Sequence, residues 1–421
     1  MLVLTLIKPR APKFVRRALF ADEWTRLDAA GREVLVPDHK FDWAFDELWS
    51  RRLPAPPSPS AQPSGFAGVR LSFEEAEASL EAAAERLALP RPRLGGGEFN
   101  VLAISGGAAG GAYGAGVLVG LGLAGRRPRF DIVTGVSTGA LIAPFAFLGP
   151  AWDERLEQAY TGGRAAELFG WTALAGVLQG GLLTAESLDG LIAPFIDETL
   201  VAAVAAEHRR DRRLLIATTD LDSQRPAIWD MGEIACRGGS SAVEMFRLVL
   251  AASASLPGLF PPRLIRCEAD GQPFDELHVD GGVTTPLFIL PEALLRWLRV
   301  GRRLRRGRVY VLINTVIDPS SRTTSPSLPA VLIRSFDTML RVSYRQALNV
   351  VTTFCIGNNI PLSVASIPAR PAAAANGVML DFNTEAMKAS FEAGRVAAAK
   401  AGFWKTPAVR LEPWEKFVNS L

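Results

Sequence analysis

Twice in close succession this chain runs from a short apolar strand, through a turn of glycines and other small residues, into an apolar helix. Residues 98–105 (EFNVLAIS) lead into the turn 106–111 (GGAAGG) and then a helix-forming stretch, 112–123. Residues 130–134 (FDIVT) lead into 135–139 (GVSTG) and then 140–148. Strands separated by helices pair in parallel only if each helix crosses over the sheet, so the helices cover both faces. The expected fold class is therefore α/β, a three-layer α/β/α sandwich with a mostly parallel central sheet. Further strands are predicted at 214–219, 277–279 and 309–314, and helices at 182–195, 241–252, 291–300, 329–354 and 384–401.

At 421 residues the chain is long enough for two or three domains, or for one large α/β domain with additions. Residues 54–65 (PAPPSPSAQPSG) read as a flexible or extended connector. Ser72, followed by Glu74 and Glu75, caps a predicted helix that Pro90 and Pro92 end. The expected organisation is an N-terminal extension with its connector over 1–66, a linking helix within 67–97, an α/β core over 98–315, and a C-terminal helical region over 316–421 that packs on the core.

Composition removes several classes of function. A hydrophobic fraction of 48% with 21% charged residues describes a globular chain rather than a disordered one. The apolar stretch 140–150 is broken by Pro144 and falls short of the roughly 20 residues a membrane helix needs. At the N-terminus the apolar run precedes the basic cluster, the reverse of a secretory signal, so a cytoplasmic location is expected. Cys236, Cys267 and Cys355 lie far apart, and His39, His208 and His278 are the only histidines. Neither set has metal-ligand spacing, so no metal or cofactor is expected. His39 and His208, in polar sequence, are expected at the surface.

The net charge of +3 gives no case for nucleic acid. Seven arginines between Arg296 and Arg308, interleaved with Leu295, Trp297 and Leu298, suit peripheral contact with an anionic membrane. The same pattern also fits a solvated basic helix end.

Chemistry concentrates at three places. Gly135-Val136-Ser137-Thr138-Gly139 is a G-x-S-x-G turn directly between strand and helix. Such a turn projects the serine hydroxyl from the sheet edge, and glycines on either side let backbones approach without a Cβ clash. The turn at Gly106, Gly107 and Ala108 exposes backbone amides in the same strand-to-helix setting, suited to a developing oxyanion. Glycine-rich turns before helices also bind phosphates, but neither a G-x-G-x-x-G from Gly106 nor a Gly-Lys-Ser sequence is present. The third place is His278-Val279-Asp280-Gly281-Gly282, a strand ending in a carboxylate beside two glycines. Asp270, also before a glycine, reads instead as an exposed hairpin turn. Asp131, which opens the strand before the elbow, reads as structural.

In this order the three elements resemble the patatin-like phospholipase family. The residues that carry the likeness are 105–118 (SGGAAGGAYGAGVL), 130–140 (FDIVTGVSTGA), 254–262 (ASLPGLFPP) and 279–282 (VDGG). The resemblance implies a central sheet sandwiched by helices and a serine/aspartate pair, with Ser137 the nucleophile and Asp280 the general base. It also implies oxyanion donors at the amides of Gly106, Gly107 and Ala108, and motif glycines at Gly135, Gly139, Gly281 and Gly282. The implied activity is hydrolysis of phospholipid or lysophospholipid esters. The chain departs from the family pattern twice, with Ala108 for a third glycine and Gly110 for a Lys or Arg.

A Ser-acid-His order would need a histidine after Asp280, and none follows. His278, two residues earlier and so on the same strand face, reads as structural. A soluble esterase or neutral-lipid lipase would use the same residues, and a silent lipid-binding scaffold would keep the fold alone.

Overall fold

The computed structural model describes residues 26–27, 33–34, 61–71, 99–169, 184–269, 271–288, 307–318, 323–326, 328–368 and 382–407. The helices predicted within 72–89 and at 291–300, the hairpin turn residue Asp270, His39 and most of the basic cluster lie outside these residues.

Strands β1 (Arg26–Leu27) and β2 (Glu33–Val34) form a separate antiparallel ribbon. The short strands β3 (Gln62–Pro63) and β4 (Arg70–Leu71) precede β5 (Phe99–Ile104), α1 (Gly111–Leu123), β6 (Ile132–Val136) and α2 (Thr138–Leu148). Helices α3 (Asp153–Thr161), α4 (Arg164–Phe169), α5 (Ala185–Ile192) and α6 (Glu198–His208) lead to β7 (Arg213–Asp220) and β8 (Arg225–Asp230). After α7 (Met231–Arg237) and α8 (Gly239–Ala254) comes a hairpin of β9 (Arg263–Ala269) and β10 (Gln272–Asp280). The described elements end with β11 (Gly307–Ile313), α9 (Leu328–Gly357), β12 (Leu362–Ser366) and α10 (Thr384–Ala399).

Ten strands share one sheet, with a main path β12-β11-β5-β6-β7-β10-β9-β3 and with β8 and β4 added beside β7. From β12 to β7 every pairing is parallel, as the strand-turn-helix units require. The remaining pairings are antiparallel, so the sheet is mixed, and its parallel half carries the two glycine turns. The four segments expected from the sequence do not divide this sheet. β3 and β4 enter it from before residue 98, and β12 enters it from the C-terminal region. The tail of the Pro/Ser-rich stretch is thus paired backbone, and Pro63 is tolerated because β3 lies at the sheet edge.

Side chains alternate across the central strands with a period of two. Leu102, Ile104, Leu214 and Ile216 face a core shared with α1, α2, α6 and α8. Val101, Ala103, Leu215 and Ala217 face a second core closed by Tyr344, Val351, Phe354 and Cys355 of α9. The result is the three-layer sandwich. Strands buried on both faces explain the continuous apolar runs of β6 and β7.

Close backbone packing holds α1 against α10. A Cβ on Gly116 would stand 1.9 Å from the Phe391 carbonyl oxygen, and one on Gly394 would stand 2.2 Å from that of Tyr113. The glycines thus admit the two helices to a separation that any side chain would prevent. No described helix is long and apolar enough to cross a membrane.

Candidate active site

Ser137 occupies the sharp turn between β6 and α2 at φ 56° and ψ −130°. A non-glycine residue there costs about 1–3 kcal/mol and persists only where its surroundings enforce it. Here they do. A Cβ on Gly135 would stand 2.6 Å from the Gly139 carbonyl, and one on Gly139 would stand 2.3 Å from the carbonyl oxygen of Ile104. The Ser137 amide donates to the Ser253 hydroxyl at 3.0 Å, and that hydroxyl donates to the Ala217 carbonyl at 2.8 Å. Ser253, on α8, ties the turn to the middle of β7.

Sheet register brings Asp280 to the same place. β6 runs parallel to β7 and ends with Val136 opposite Ala217. β10 runs antiparallel to β7 and ends with Asp280 opposite Thr218. Because β8 occupies the other edge of β7 through these positions, β6 and β10 meet end to end along one edge. The residue after β6 and the last residue of β10 therefore face each other. Gly281 makes the junction possible, since a Cβ there would stand 2.2 Å from the Ala217 carbonyl oxygen. The Asp280 amide donates to the Ser255 carbonyl at 2.9 Å, and its own carbonyl accepts from Thr219 Oγ1 at 3.0 Å.

The Asp280 carboxyl is buried, 2% exposed. Its Oδ1 accepts the Gly282 amide at 2.7 Å, while Oδ2 is buried with no hydrogen-bond partner of normal geometry. Burial pushes this carboxyl up to about 6, against the opposing pull of the Ser137 hydroxyl and the Gly282 amide. A carboxylate with one idle oxygen beside a serine hydroxyl can receive that hydroxyl's proton.

Facing Ser137 is the loop after β5. Gly107 has φ 154° and Ala108 φ 47°, and a tight turn over Ala108–Gly110 follows. Among the described residues no acceptor takes the amides of Gly106, Gly107 or Ala108. A Cβ on Gly106 would stand 2.9 Å from Ser137 Cβ and 3.4 Å from its Oγ, so this loop lies directly against the nucleophile candidate. Asn314, at the end of β11, holds the loop: its amide donates to Ser105 Oγ at 3.0 Å and its Nδ2 to the Ser105 carbonyl at 2.8 Å.

The Asn314 carbonyl oxygen also explains one of the two departures from the family pattern. It would stand 2.1 Å from a Cβ on Gly110, so this position has no room for a basic side chain. At Ala108 the consequence is smaller, because the left-handed turn is held with a Cβ present and its amide is retained.

His278 is fully buried, with Nδ1 2.9 Å from Thr218 Oγ1 and Nε2 3.1 Å from Glu276 Oε2. Its ring packs edge-on to Trp229 at 5.6 Å. Both nitrogens are thus engaged away from Ser137. Asp131 is buried at the opposite end of β6, where its carboxylate accepts the Asn100 amide at 2.9 Å.

His208 does not fit the sequence expectation of an exposed side chain. It is 8% exposed, packed between α6 and α7 with Nε2 3.0 Å from Glu233 Oε1. The polar sequence around it misleads because α7 closes over the end of α6, and Gly232 leaves space for the ring. Candidate ligand atoms of His208, Asp230 and Glu233 lie within 4.8 Å of one another. The two carboxylates address opposite ring nitrogens, however, and Asp230 Oδ1 accepts the Gly232 and Glu233 amides as the cap of α7. That is a hydrogen-bonded helix start rather than a converging ligand set.

Ser137 and Asp280 open into a pocket whose walls are mostly apolar, with Leu141, Phe145, Ile192, Leu259, Phe260 and Met387 among its lining residues. Helix α9 contributes Asp337, Leu340, Arg341 and Tyr344. Ser253, Asn314 and Tyr344 carry no local sequence signal; each reaches the site from a distant element.

The three-layer α/β/α architecture around a central multi-stranded sheet is consistent with a patatin-like fold. Residues 102–291 match the family model described as patatin-like phospholipase. No curated protein matches the chain. Among solved structures it is similar to VipD from Legionella pneumophila, at 10% identity and a TM-score of 0.34, covering 72% of this chain and 66% of that one. It is also similar to the human GIVD cytosolic phospholipase A2, at 10% identity and a TM-score of 0.38, covering 82% of this chain and 64% of that one. The chain thus spans slightly under two thirds of the length of either.

Proposed function

We propose that this chain is a lipid acyl hydrolase that cleaves carboxylic esters of phospholipids or lysophospholipids through Ser137 and Asp280. The observation that carries the reading is the meeting of β6 and β10, which sets a strained serine beside a carboxylate with an idle oxygen at an apolar pocket. The match of residues 102–291 to a patatin-like phospholipase family model supports the substrate class.

In the proposed reaction Asp280 takes the Ser137 proton as Oγ attacks the ester carbonyl. The amides of Gly106, Gly107 and Ala108 receive the oxyanion, a contribution typically worth about 3–4 kcal/mol per donor. Collapse expels the alcohol or lysolipid, which leaves with the proton from Asp280. Water then attacks the acyl-serine, giving its proton to Asp280, and Ser137 recovers a proton as the fatty acid departs.

A fluorophosphonate probe tests the nucleophile. Wild-type protein should label at Ser137, and Ser137→Ala should neither label nor turn over any ester. Folded wild-type protein that fails to label would rule out the enzyme and leave a lipid-binding scaffold. Asp280→Asn should lose turnover while Ser137 stays in place. A His278→Gln protein that folds should keep most of its activity, because its ring is committed to Thr218 and Glu276; complete loss would overturn the pair.

A further inference from the structure

Within this mostly apolar pocket, Arg341 is the one cation among the described residues that line it. It comes from α9, outside residues 102–291. Its guanidinium is fixed on two sides. Nε donates to Asp337 Oδ1 at 2.9 Å, and Nη1 donates to the Val316 carbonyl at 2.7 Å and the Asp318 carbonyl at 3.2 Å. Asp337, 4% exposed, also accepts from Arg334 Nη1 at 3.0 Å, so one carboxylate is shared between two guanidiniums.

Among the described residues Nη2 of Arg341 donates to nothing. The side chain is 16% exposed, and the pocket that it lines is also lined by Ser137 and Asp280. A guanidinium so held has lost its conformational freedom before any ligand arrives and keeps an unused donor edge, which is the preorganised form of an anion contact. The anionic side chains among the described lining residues are Asp337, already engaged, and Asp280, whose free oxygen belongs to the proposed serine chemistry.

We propose that Arg341 is a specificity-determining residue that binds the phosphodiester of a glycerophospholipid while the ester is at Ser137. This rests on the reading of the site as a lipid acyl hydrolase. Arg341 would then favour lipids that carry a phosphate over neutral acylglycerols of equal chain length. Position 110, walled by the Asn314 carbonyl, has no room for a side chain that could supply a cation.

The test compares two soluble substrates of one acyl length, hexanoyl-lysophosphatidylcholine and monohexanoylglycerol, with wild type, Arg341→Gln and Arg341→Lys. Loss of a charge-assisted contact should lower kcat/KM for the lysophospholipid by between about ten- and a hundredfold in the glutamine variant. Cleavage of the neutral ester should change little, and lysine should restore part of the preference. A purely structural role in holding residues 316–318 would lower both substrates together, and equal loss on both, or no loss on either, overturns the proposal. Binding of the same two compounds to Ser137→Ala and to Ser137→Ala/Arg341→Gln measures the preference without turnover. The first protein should prefer the phosphate-bearing ligand and the second should not. If the Ser137→Ala protein shows this preference but wild type hydrolyses neither ester, the hydrolase reading fails and the anion site stands; if wild type cleaves both and no preference is seen, the reverse holds.

Discussion

In the proposed mechanism single residues carry the chemistry, and Asp280 carries the proton transfers. With its carboxyl pushed up to about 6, the base that the proposed mechanism needs is lost as pH falls through that value, so kcat should decline below about pH 6. The stability effect runs the other way. A folded-state value above the unfolded one, about 3.9, means that the native protein holds this proton more tightly. The contribution is most favourable below pH 4 and is lost as pH rises towards 6, with a burden of roughly 3 kcal/mol above that. Asp280→Asn should accordingly unfold at higher temperature than wild type at pH 8 and lose that advantage at pH 4, as thermal melts at the two values would show. Ala108 and Gly110 give the complementary comparison. Ala108→Gly relaxes a φ of 47° and should leave stability unchanged or raise it by up to about 1 kcal/mol, with activity retained. Gly110→Arg, although closer to the family pattern, collides with the Asn314 carbonyl and should lose both folding yield and fluorophosphonate labelling.

At the scale of elements, the strand-turn-helix units are legible in the sequence because glycine spacing and apolar runs are local signals. The tight turn between β6 and α2 appears where residues 135–139 place it, and the glycine-rich loop after β5 where residues 106–111 do. Only the tip of β10 is visible in sequence, since residues 272–276 are largely polar and gain strand form from the hairpin with β9. Helices α3 and α6, and strands β8, β9 and β12, are absent from the sequence expectations. β12, for example, is a five-residue run whose pairing with β11 is a long-range choice. The contact between α1 and α10 shows the limits of local propensity most plainly. Gly116→Ala should favour the helix by its intrinsic preference, yet the new Cβ meets the Phe391 carbonyl at 1.9 Å. Overpacking of this kind typically costs about 1–3 kcal/mol, so urea denaturation should show a net loss of stability.

Across the whole molecule, the family-matched segment is less than a folding unit. β5, which carries the glycine loop, pairs on one side with β6 and on the other with β11, and β11 pairs in turn with β12. Both outer partners lie beyond residue 291, as do α9, which closes one core, and α10, which covers α1. A fragment of residues 98–300 would expose β5 as a long apolar edge and one face of the sheet to water. It should be insoluble or rapidly degraded in limited proteolysis, whereas the full chain should yield a resistant product that includes residue 366.

The abutment of β6 and β10 along β7 also has a temporal meaning. Synthesis proceeds from the N-terminus, so the ribosome releases Ser137 and its elbow long before Asp280 exists, and the wall that bears Arg341 and Tyr344 emerges later still. The turn can form early on local instructions, while the proposed base is delivered by a hairpin that must find the vacant half of an edge already partly occupied. In the proposed mechanism a nascent chain would therefore carry its serine unarmed, and the competence to attack an ester would arrive only with completion of the sheet.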